Sequence, residues 1–281
     1  MIAAALTSCS GSAWSRVIES DVNFSHNVSG FINEGLGITG GYAGEVHYTI
    51  DGGKSWPEGE KKTLCRYAID ALPGGELIHA GNQGVVGIST DGRSWTKLET
   101  PIDGMAMLVN FFDRARGCTV DAKNNILLTE DGGSSWRRLN GPKIAGIIIA
   151  IEHFSEQGIC IIDSQGNFYM TQNLGSSWTT SPLPCRENGI DTARLSGNSA
   201  SMRFTDAMNG NIAVIALVGG SDKSRIVVLK TTDGAKSFTA EKISCRVNSS
   251  TELFLSPDSM YLTANGDNKI ELFKNTAGVV K

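Results

Sequence analysis

One short pattern returns along the chain at a nearly fixed interval, and a period of ~20 to 50 residues restricts the folds open to a sequence more than any local feature does. It reads Thr49-Ile-Asp51-Gly-Gly53-Lys-Ser55-Trp56, then Thr129-Glu-Asp131-Gly-Gly133-Ser-Ser135-Trp136, then Thr171-Gln-Asn173-Leu-Gly175-Ser-Ser177-Trp178. A shorter copy is Ser89-Thr-Asp91-Gly-Arg-Ser94-Trp95, and a degraded one is Thr231-Thr-Asp233-Gly-Ala235-Lys-Ser237-Phe238. From Trp56 the steps to Trp95, Trp136 and Trp178 are 39, 41 and 42 residues, and the step to Phe238 is 60.

The pattern has the chemistry of a tight hairpin. Asp or Asn accepts hydrogen bonds from the backbone just ahead, and Gly takes the positive-φ position. The Ser hydroxyl closes the turn, and Trp starts the outgoing strand with a large face to bury. Ahead of each turn lies a strand such as Glu45-Val-His-Tyr-Thr49 or Asn125-Ile-Leu-Leu-Thr129, preceded by a further loop at Gly41, Gly81, Asp121 or Asp163. Upstream again come the runs Met107–Phe112 and Ile147–Ile151, apolar enough for strands buried on both faces. Four strands per ~41 residues is the unit of a β-propeller blade, with the box between the third and fourth strands. With 33 Gly and 7 Pro in 281 residues, 40% hydrophobic and 19% charged, composition agrees with a turn-rich all-β globular chain.

The five segments resemble the BNR or Asp-box repeat family (S/T-x-D-x-G-x-S/T-W), whose members are β-propellers that include sialidases, sortilin-type receptors and the photosystem II stability and assembly factor group. The strand-Gly-strand-box rhythm is most similar to the assembly-factor group. A sixth repeat is split across the termini. Gly11-Ser-Ala-Trp14-Ser-Arg-Val17 matches Gly133-Ser-Ser-Trp136-Arg-Arg-Leu139, and Trp14 lies 42 residues before Trp56. Leu253-Phe-Leu, Tyr261-Leu-Thr and Ile270-Glu-Leu-Phe273 supply three strands at the other end, with Asn275 where a box Asp belongs. The expectation is a six-bladed β-propeller of four-stranded blades, the last closed by the N-terminal strand, which leaves no sheet edge unpaired at the seam.

Leu6-Thr-Ser-Cys9 resembles the bacterial lipobox, in which Cys becomes lipid-modified after signal cleavage. Residues 1–9 are therefore read as a lipoprotein signal ending at Cys9, and residues 10–281 as one propeller domain. That reading places the protein in the bacterial cell envelope, lipid-anchored or periplasmic to extracellular, with the tether near the box-bearing face. Of the other cysteines, Cys118 and Cys160 match in consecutive blades and read as buried small hydrophobes. Cys185 and Cys245 each lie seven residues after a box aromatic and face each other across neighbouring blades, as free thiols or as a disulfide. No C-x-x-C spacing supports a zinc site.

In this topology the fourth-to-first and second-to-third strand loops share one face around the central axis, where ligands of propellers gather. Two expansions map there: Pro182 to Ala200, and Gly219 to Arg225. Cys65-Arg66, Cys185-Arg186 and Cys245-Arg246 recur shortly before inner strands on that face. Three guanidinium groups near the axis suit carboxylates or acidic protein segments, with Asp222, Lys223 and Arg225 on the rim. The box residues Asp51, Gly53, Trp56, Asp91, Trp95, Asp131, Gly133, Trp136, Asn173, Gly175, Trp178, Asp233 and Phe238, with Trp14 and Asn275, read as structural.

Sialidases combine boxes, six blades and an arginine triad, but their Arg-Ile-Pro segment is absent here. Tyr261 and Asp70 are candidates for the catalytic Tyr and acid without matching context, and nothing nominates a pair of acids converging on one bond. A P-loop, Rossmann glycines and H-E-x-x-H are also absent; His26, His47, His79 and His153 are scattered, and no cofactor motif appears. A formal charge of −4 excludes a broad nucleic-acid footprint, and no apolar run reaches the ~20 residues of a membrane-spanning helix. The reading is a monomeric, non-catalytic, exported propeller whose loop face binds a protein or glycan in assembling a membrane or envelope complex. The alternative is a divergent exo-glycosidase of sialidase type.

Overall fold

The computed structural model describes residues 13–21, 28–41, 45–59, 66–72, 74–192, 195, 199–217, 224–244, 252–258, 261–266 and 269–276. Its strands form six separate antiparallel sheets, each running from an inner strand at the axis outward. Blade 1 contains β2 (Val28–Phe31), β3 (Gly37–Gly40) and β4 (Val46–Thr49). Blade 2 contains β5 (Arg66–Ala71), β6 (Leu77–Gly81), β7 (Val86–Ser89) and β8 (Thr96–Leu98). Blade 3 contains β9 (Ala106–Phe111), β10 (Gly117–Asp121), β11 (Ile126–Thr129) and β12 (Arg137–Arg138). Blade 4 contains β13 (Ile148–His153), β14 (Ile159–Asp163), β15 (Asn167–Thr171) and β16 (Thr179–Pro182). Blade 5 contains β17 (Ala200–Phe204), β18 (Gly210–Leu217), β19 (Ser224–Thr231) and β20 (Thr239–Ser244). Blade 6 contains β21 (Glu252–Leu255), β22 (Tyr261–Gly266) and β23 (Lys269–Asn275), and its fourth strand is β1 (Trp14–Asp21) from the start of the chain. The inner strands touch in order from β2 through β5, β9, β13, β17 and β21 and back to β2, so the ring is closed.

The seam follows the register expected of a split repeat. Trp14 pairs with Asn275, Ser15 with Lys274 and Arg16 with Phe273, and Trp14 is buried among Ile215, Phe273 and Leu253. Arg16 adds an ion pair to Glu271 at 2.6 Å, whose side chain is fully buried. One assignment is corrected by this register. In the other blades the box Trp faces the strand-ending Thr or Ser, as the neighbouring pair Leu128 with Arg137 shows for Thr129 and Trp136. Asn275 faces Trp14 and so occupies that Thr position, two residues short of the box Asp. Blade 1 also departs from four full strands. Among the described residues its outer edge is the bridge between His47 and Glu58, and Pro57, directly after Trp56, has no N–H to continue a ladder.

The packing explains why Gly opens the second strand in blades 1, 3 and 5. Phe31 lies over Gly37, Phe111 over Gly117 and Phe204 over Gly210, each across from the end of the inner strand to the second strand. A Cβ on Gly117 would sit 2.4 Å from the Phe111 ring, so only glycine leaves room. The box Trp then packs edge-on against the same aromatic, with ring centroids 5.7 Å apart for Phe31 and Trp56 and 6.2 Å for Phe111 and Trp136. Between blades 4 and 5, Phe168 stacks on Phe204 at 5.4 Å. Burying a side chain of that size is worth about 1.5–3 kcal/mol.

Among the described residues no helix is long and apolar enough to cross a membrane. One α-helical turn, α1 (Cys185–Asn188), lies in the Pro182 to Ala200 connection between blades 4 and 5, and a 3₁₀ turn, Asn82–Gly84, joins β6 to β7.

Candidate functional site

The boxes perform the turn chemistry expected of them. In the first, Thr49 Oγ1 accepts from the backbone N–H of Gly53 at 2.8 Å and donates to Asp51, while Asp51 accepts from Ser55 N–H at 3.0 Å and Ser55 Oγ at 2.6 Å. The same bonds recur at Thr129 with Asp131 and Gly133, and at Thr231 with Asp233 and Ala235. At Asn173 the amide donates to Ser177 in place of a carboxylate accepting. These bonds, led by the serine hydroxyl, hold the Asp51 and Asp233 carboxyls down to about 2. The short second box closes one residue sooner, with Gly92 N–H on Ser89 Oγ. All this chemistry is spent inside the hairpin, on the face that carries the strand 1–2 loops, as the bond from Gly132 N–H to the Ala115 carbonyl shows.

The opposite, loop face has a second repeated turn. Asp121 accepts from Lys123 and Asn125 N–H, and Asp163 accepts from Gln165 and Asn167 N–H and from the Tyr169 hydroxyl. Burial alone would raise the Asp163 carboxyl, but the bonds from Asn167 and Tyr169 hold it below its ordinary value. The incoming connections lie beside these turns: Ala122 N–H donates to Met105 O, and Ser164 N–H to Ile147 O. Met105 and Ile147 thus occupy equivalent places at the channel mouth and are 40% and 49% exposed, an expenditure of apolar surface that the core does not need. Exposed Lys123, Lys143 and Arg186 lie on the same face. Sequence reasoning missed this apolar pair: Ile147 reads as the first residue of a buried strand, but that strand begins at Ile148 and leaves Ile147 in the connection, and Met105 stands just ahead of the run Met107–Phe112.

The six tentative binding residues are placed as follows. Arg66 is the first residue of β5, paired with Gly81, within the inner strand and not ahead of it; its side chain lies outside the described residues. Arg186 is exposed on α1, which rests on the β14–β15 turn through Cys185 against Gly166. Arg225 is exposed on β19 opposite Ala216 and Ser244. Arg246, Asp222 and Lys223 lie outside the described residues, as do Cys9 and Cys245. Cys185 carries a free thiol, and so do buried Cys118 and Cys160.

The axis holds a second group, built from the penultimate residue of each inner strand: Gly30, Asp70, Asn110, Glu152, Arg203 and Phe254. Gly30 is glycine because the Phe254 ring fills its place, 2.9 Å from where a Cβ would sit. The Arg203 guanidinium lies over that ring, 5.6 Å from its centroid, and pairs with Asp70. Asp70 further accepts from Asn110 Nδ2 and Phe111 N–H, both at 3.0 Å. The layer closes the channel, leaving a cavity of about 50 Å³ on its loop-face side, lined by Leu108, Ala150 and Ser201 among others. Asp70, a candidate acid of the glycosidase alternative, is fully engaged here, and Tyr261 stands on the second strand of blade 6, with blade 1 between them. Among the described residues no group of three His, Cys, Asp or Glu side chains is placed to hold a metal ion.

Three comparisons bear on this geometry. The sequence profile of the family described as Photosynthesis system II assembly factor YCF48 matches residues 10–182. A search of curated protein sequences gives no match. Among solved structures, one of YCF48 bound to D1 peptide is 14% identical, with a TM-score of 0.57, and the alignment covers 98% of this chain and 100% of that one. YCF48 from Cyanidioschyzon merolae is 17% identical with a TM-score of 0.52, covering 95% and 100% of the two chains. Virginiamycin B lyase from Staphylococcus aureus, at 13% identity and a TM-score of 0.56, covers 88% and 79%. At these identities the structures share the fold with this chain.

Proposed function

This chain belongs to the Photosynthesis system II assembly factor YCF48 family, and on that premise we propose that it is a non-catalytic binding propeller that takes a protein segment on its loop face during assembly of a membrane complex. The observation that carries the reading is the exposed pair Met105 and Ile147 at equivalent places on that face, with Lys123, Lys143 and Arg186 on the same surface. Apolar side chains exposed together and rimmed by polar ones mark protein interaction sites, and Met105 and Ile147 hold equivalent places on adjacent blades. The cations select against a basic segment and favour one with carboxylates. Arg66, Arg246, Lys223 and Arg225 extend the positive rim in this reading. A solved YCF48 holds a D1 peptide, which supports a peptide over a glycan as the occupant.

Location follows the same premise. The protein works outside the cytoplasm, tethered through Cys9. Because Trp14 opens β1 at the box end of blade 6, a tether just ahead of it enters on the box side and leaves the loop face free.

The test is a fluorescence titration of the full chain with a labelled D1 peptide. Met105→Glu with Ile147→Glu weakens binding at least about tenfold, the loss of one good anchor or more, and Arg186→Ala lowers both affinity and its salt dependence. Binding unchanged in both variants overturns the loop-face reading.

A further inference from the structure

On the box side of the axial layer, the inner-strand ends line a second cavity of about 170 Å³ that opens to solvent, with Asn110, Glu152, His153 and Arg203 and the rings of Phe112 and Phe154 in its wall. Three of its polar groups have hydrogen-bonding capacity that the protein leaves unused. Glu152 Oε2 and Arg203 Nε are buried without a partner, and so are both ring nitrogens of His153. The residues are 5%, 8% and 2% exposed. A buried polar group left unpaired is costly, and three at one cavity wall need an account.

The charges there are balanced. Arg203 is committed to Asp70. Burial, against the pull of Arg203, pushes the Glu152 carboxyl up to about 8, and burial lowers His153 to about 4, so both are neutral near pH 7. The charged groups that act on His153 from the neighbouring loop and strand are Asp113, Arg116 and Glu130, and Arg116 is itself paired with Asp113 and Glu156. A carboxylate or an ammonium would therefore bring an unmatched charge against buried side chains. A neutral occupant that both donates and accepts would not. It would accept from Arg203 Nε–H and from the Glu152 Oε2 hydroxyl, the other carboxyl oxygen taking the Phe204 N–H, and donate to a His153 ring nitrogen, with its flat face against the phenylalanine rings. The space is larger than a single water needs and admits a small flat group.

We propose that this box-face cavity is a binding site for a primary carboxamide, reached from the side opposite the loop face and independent of the peptide reading above. The carboxamide belongs either to a small solute or to an asparagine or glutamine side chain.

The experiment is a two-dimensional NMR titration of the full chain with propionamide, propionate, propylammonium and N-acetylglutamine methylamide, joined to a crystal grown with propionamide. Propionamide gives saturable shifts at Phe112, Phe154 and Thr205, and propionate and propylammonium bind at least about tenfold more weakly. Equal binding of propionamide and the glutamine derivative assigns a site open to a side chain, and binding of propionamide alone assigns a solute site. Glu152→Leu lowers propionamide affinity at least about tenfold, and Glu152→Gln, which keeps the polar atoms and the fold, restores it to within about threefold. The crystal shows the amide oxygen within hydrogen-bonding distance of Glu152 Oε2 and Arg203 Nε. Absence of saturable shifts, equal binding of the ions, or a cavity filled by water alone at saturating propionamide overturns the proposal.

Discussion

A single residue, Glu152, gives the axial layer a measurable signature. Its carboxyl is raised to about 8 by burial, chiefly against the attraction of Arg203, whereas in an unfolded chain it titrates near 4.5. Between those values the folded state holds a proton that the unfolded state has released, so stability falls as pH rises through that window. His153 acts with the opposite sign. Lowered to about 4 from 6.5 by burial, it contributes stability that grows as pH rises through that lower window. The two offset each other below 6.5, and above it Glu152 acts alone. Urea unfolding from pH 6.5 to 8.5 shows stability declining in the native chain and a flatter profile in Glu152→Gln. An unchanged slope in that variant means that Glu152 does not hold its proton in the fold. This residue was not legible in the sequence. Asp70, Asn110, Glu152 and Arg203 each sit near the end of a run that reads as apolar inner strand. Only the ladder register, which sequence spacing does not supply across loops of unequal length, shows that all four occupy the same axial layer.

The box hairpin is the element whose chemistry is most local, and for that reason it was legible. Its bonds run between residues two to four apart, so Thr, Asp and Ser at fixed spacing specify the turn without knowledge of the rest of the chain. The same logic separates two hairpins that depart from the pattern. Gly175 has φ of 82°, and a Cβ there would sit 2.6 Å from the Asn140 carbonyl of the preceding blade. Ala235 holds the matching position at φ of 63° with its methyl group buried. Gly175→Ala should lower stability by about 1–3 kcal/mol, combining left-handed strain with a clash against backbone. Ala235→Gly should change it by less than about 1 kcal/mol, since relief of strain is offset by lost burial and a more flexible unfolded chain. Denaturant midpoints of the two variants check this, and an equal loss in both would remove the contact with Asn140 from the explanation. Elements governed by longer-range pairing were less legible. The outer edge of blade 1 has Pro57 at a ladder position, and the place of Asn275 depends on its register opposite Trp14.

For the whole molecule, the spacing of the tryptophans carried most of the architecture, because each blade repeats one hairpin whose box aromatic packs inward, against Phe31 in blade 1 and Phe111 in blade 3. Trp14, a full repeat ahead of Trp56, marked the closing strand before any strand pairing was known. The loop face was legible only as a direction. Which side chains project from it depends on how each connection meets the neighbouring turn, as Met105 and Ile147 show. Closure of blade 6 by β1 fixes which loops share a face, and both proposed sites depend on it. Ser15 and Lys274 are directly opposed in that seam, so their α-carbons fall within the usual reach of a disulfide. Oxidation of a chain carrying Ser15→Cys and Lys274→Cys, followed by mass spectrometry of its fragments, tests the closure directly. A disulfide within one chain between those two positions, with a raised unfolding temperature, is the result predicted; linkage only between chains, or none, would contradict a ring sealed by its own first strand.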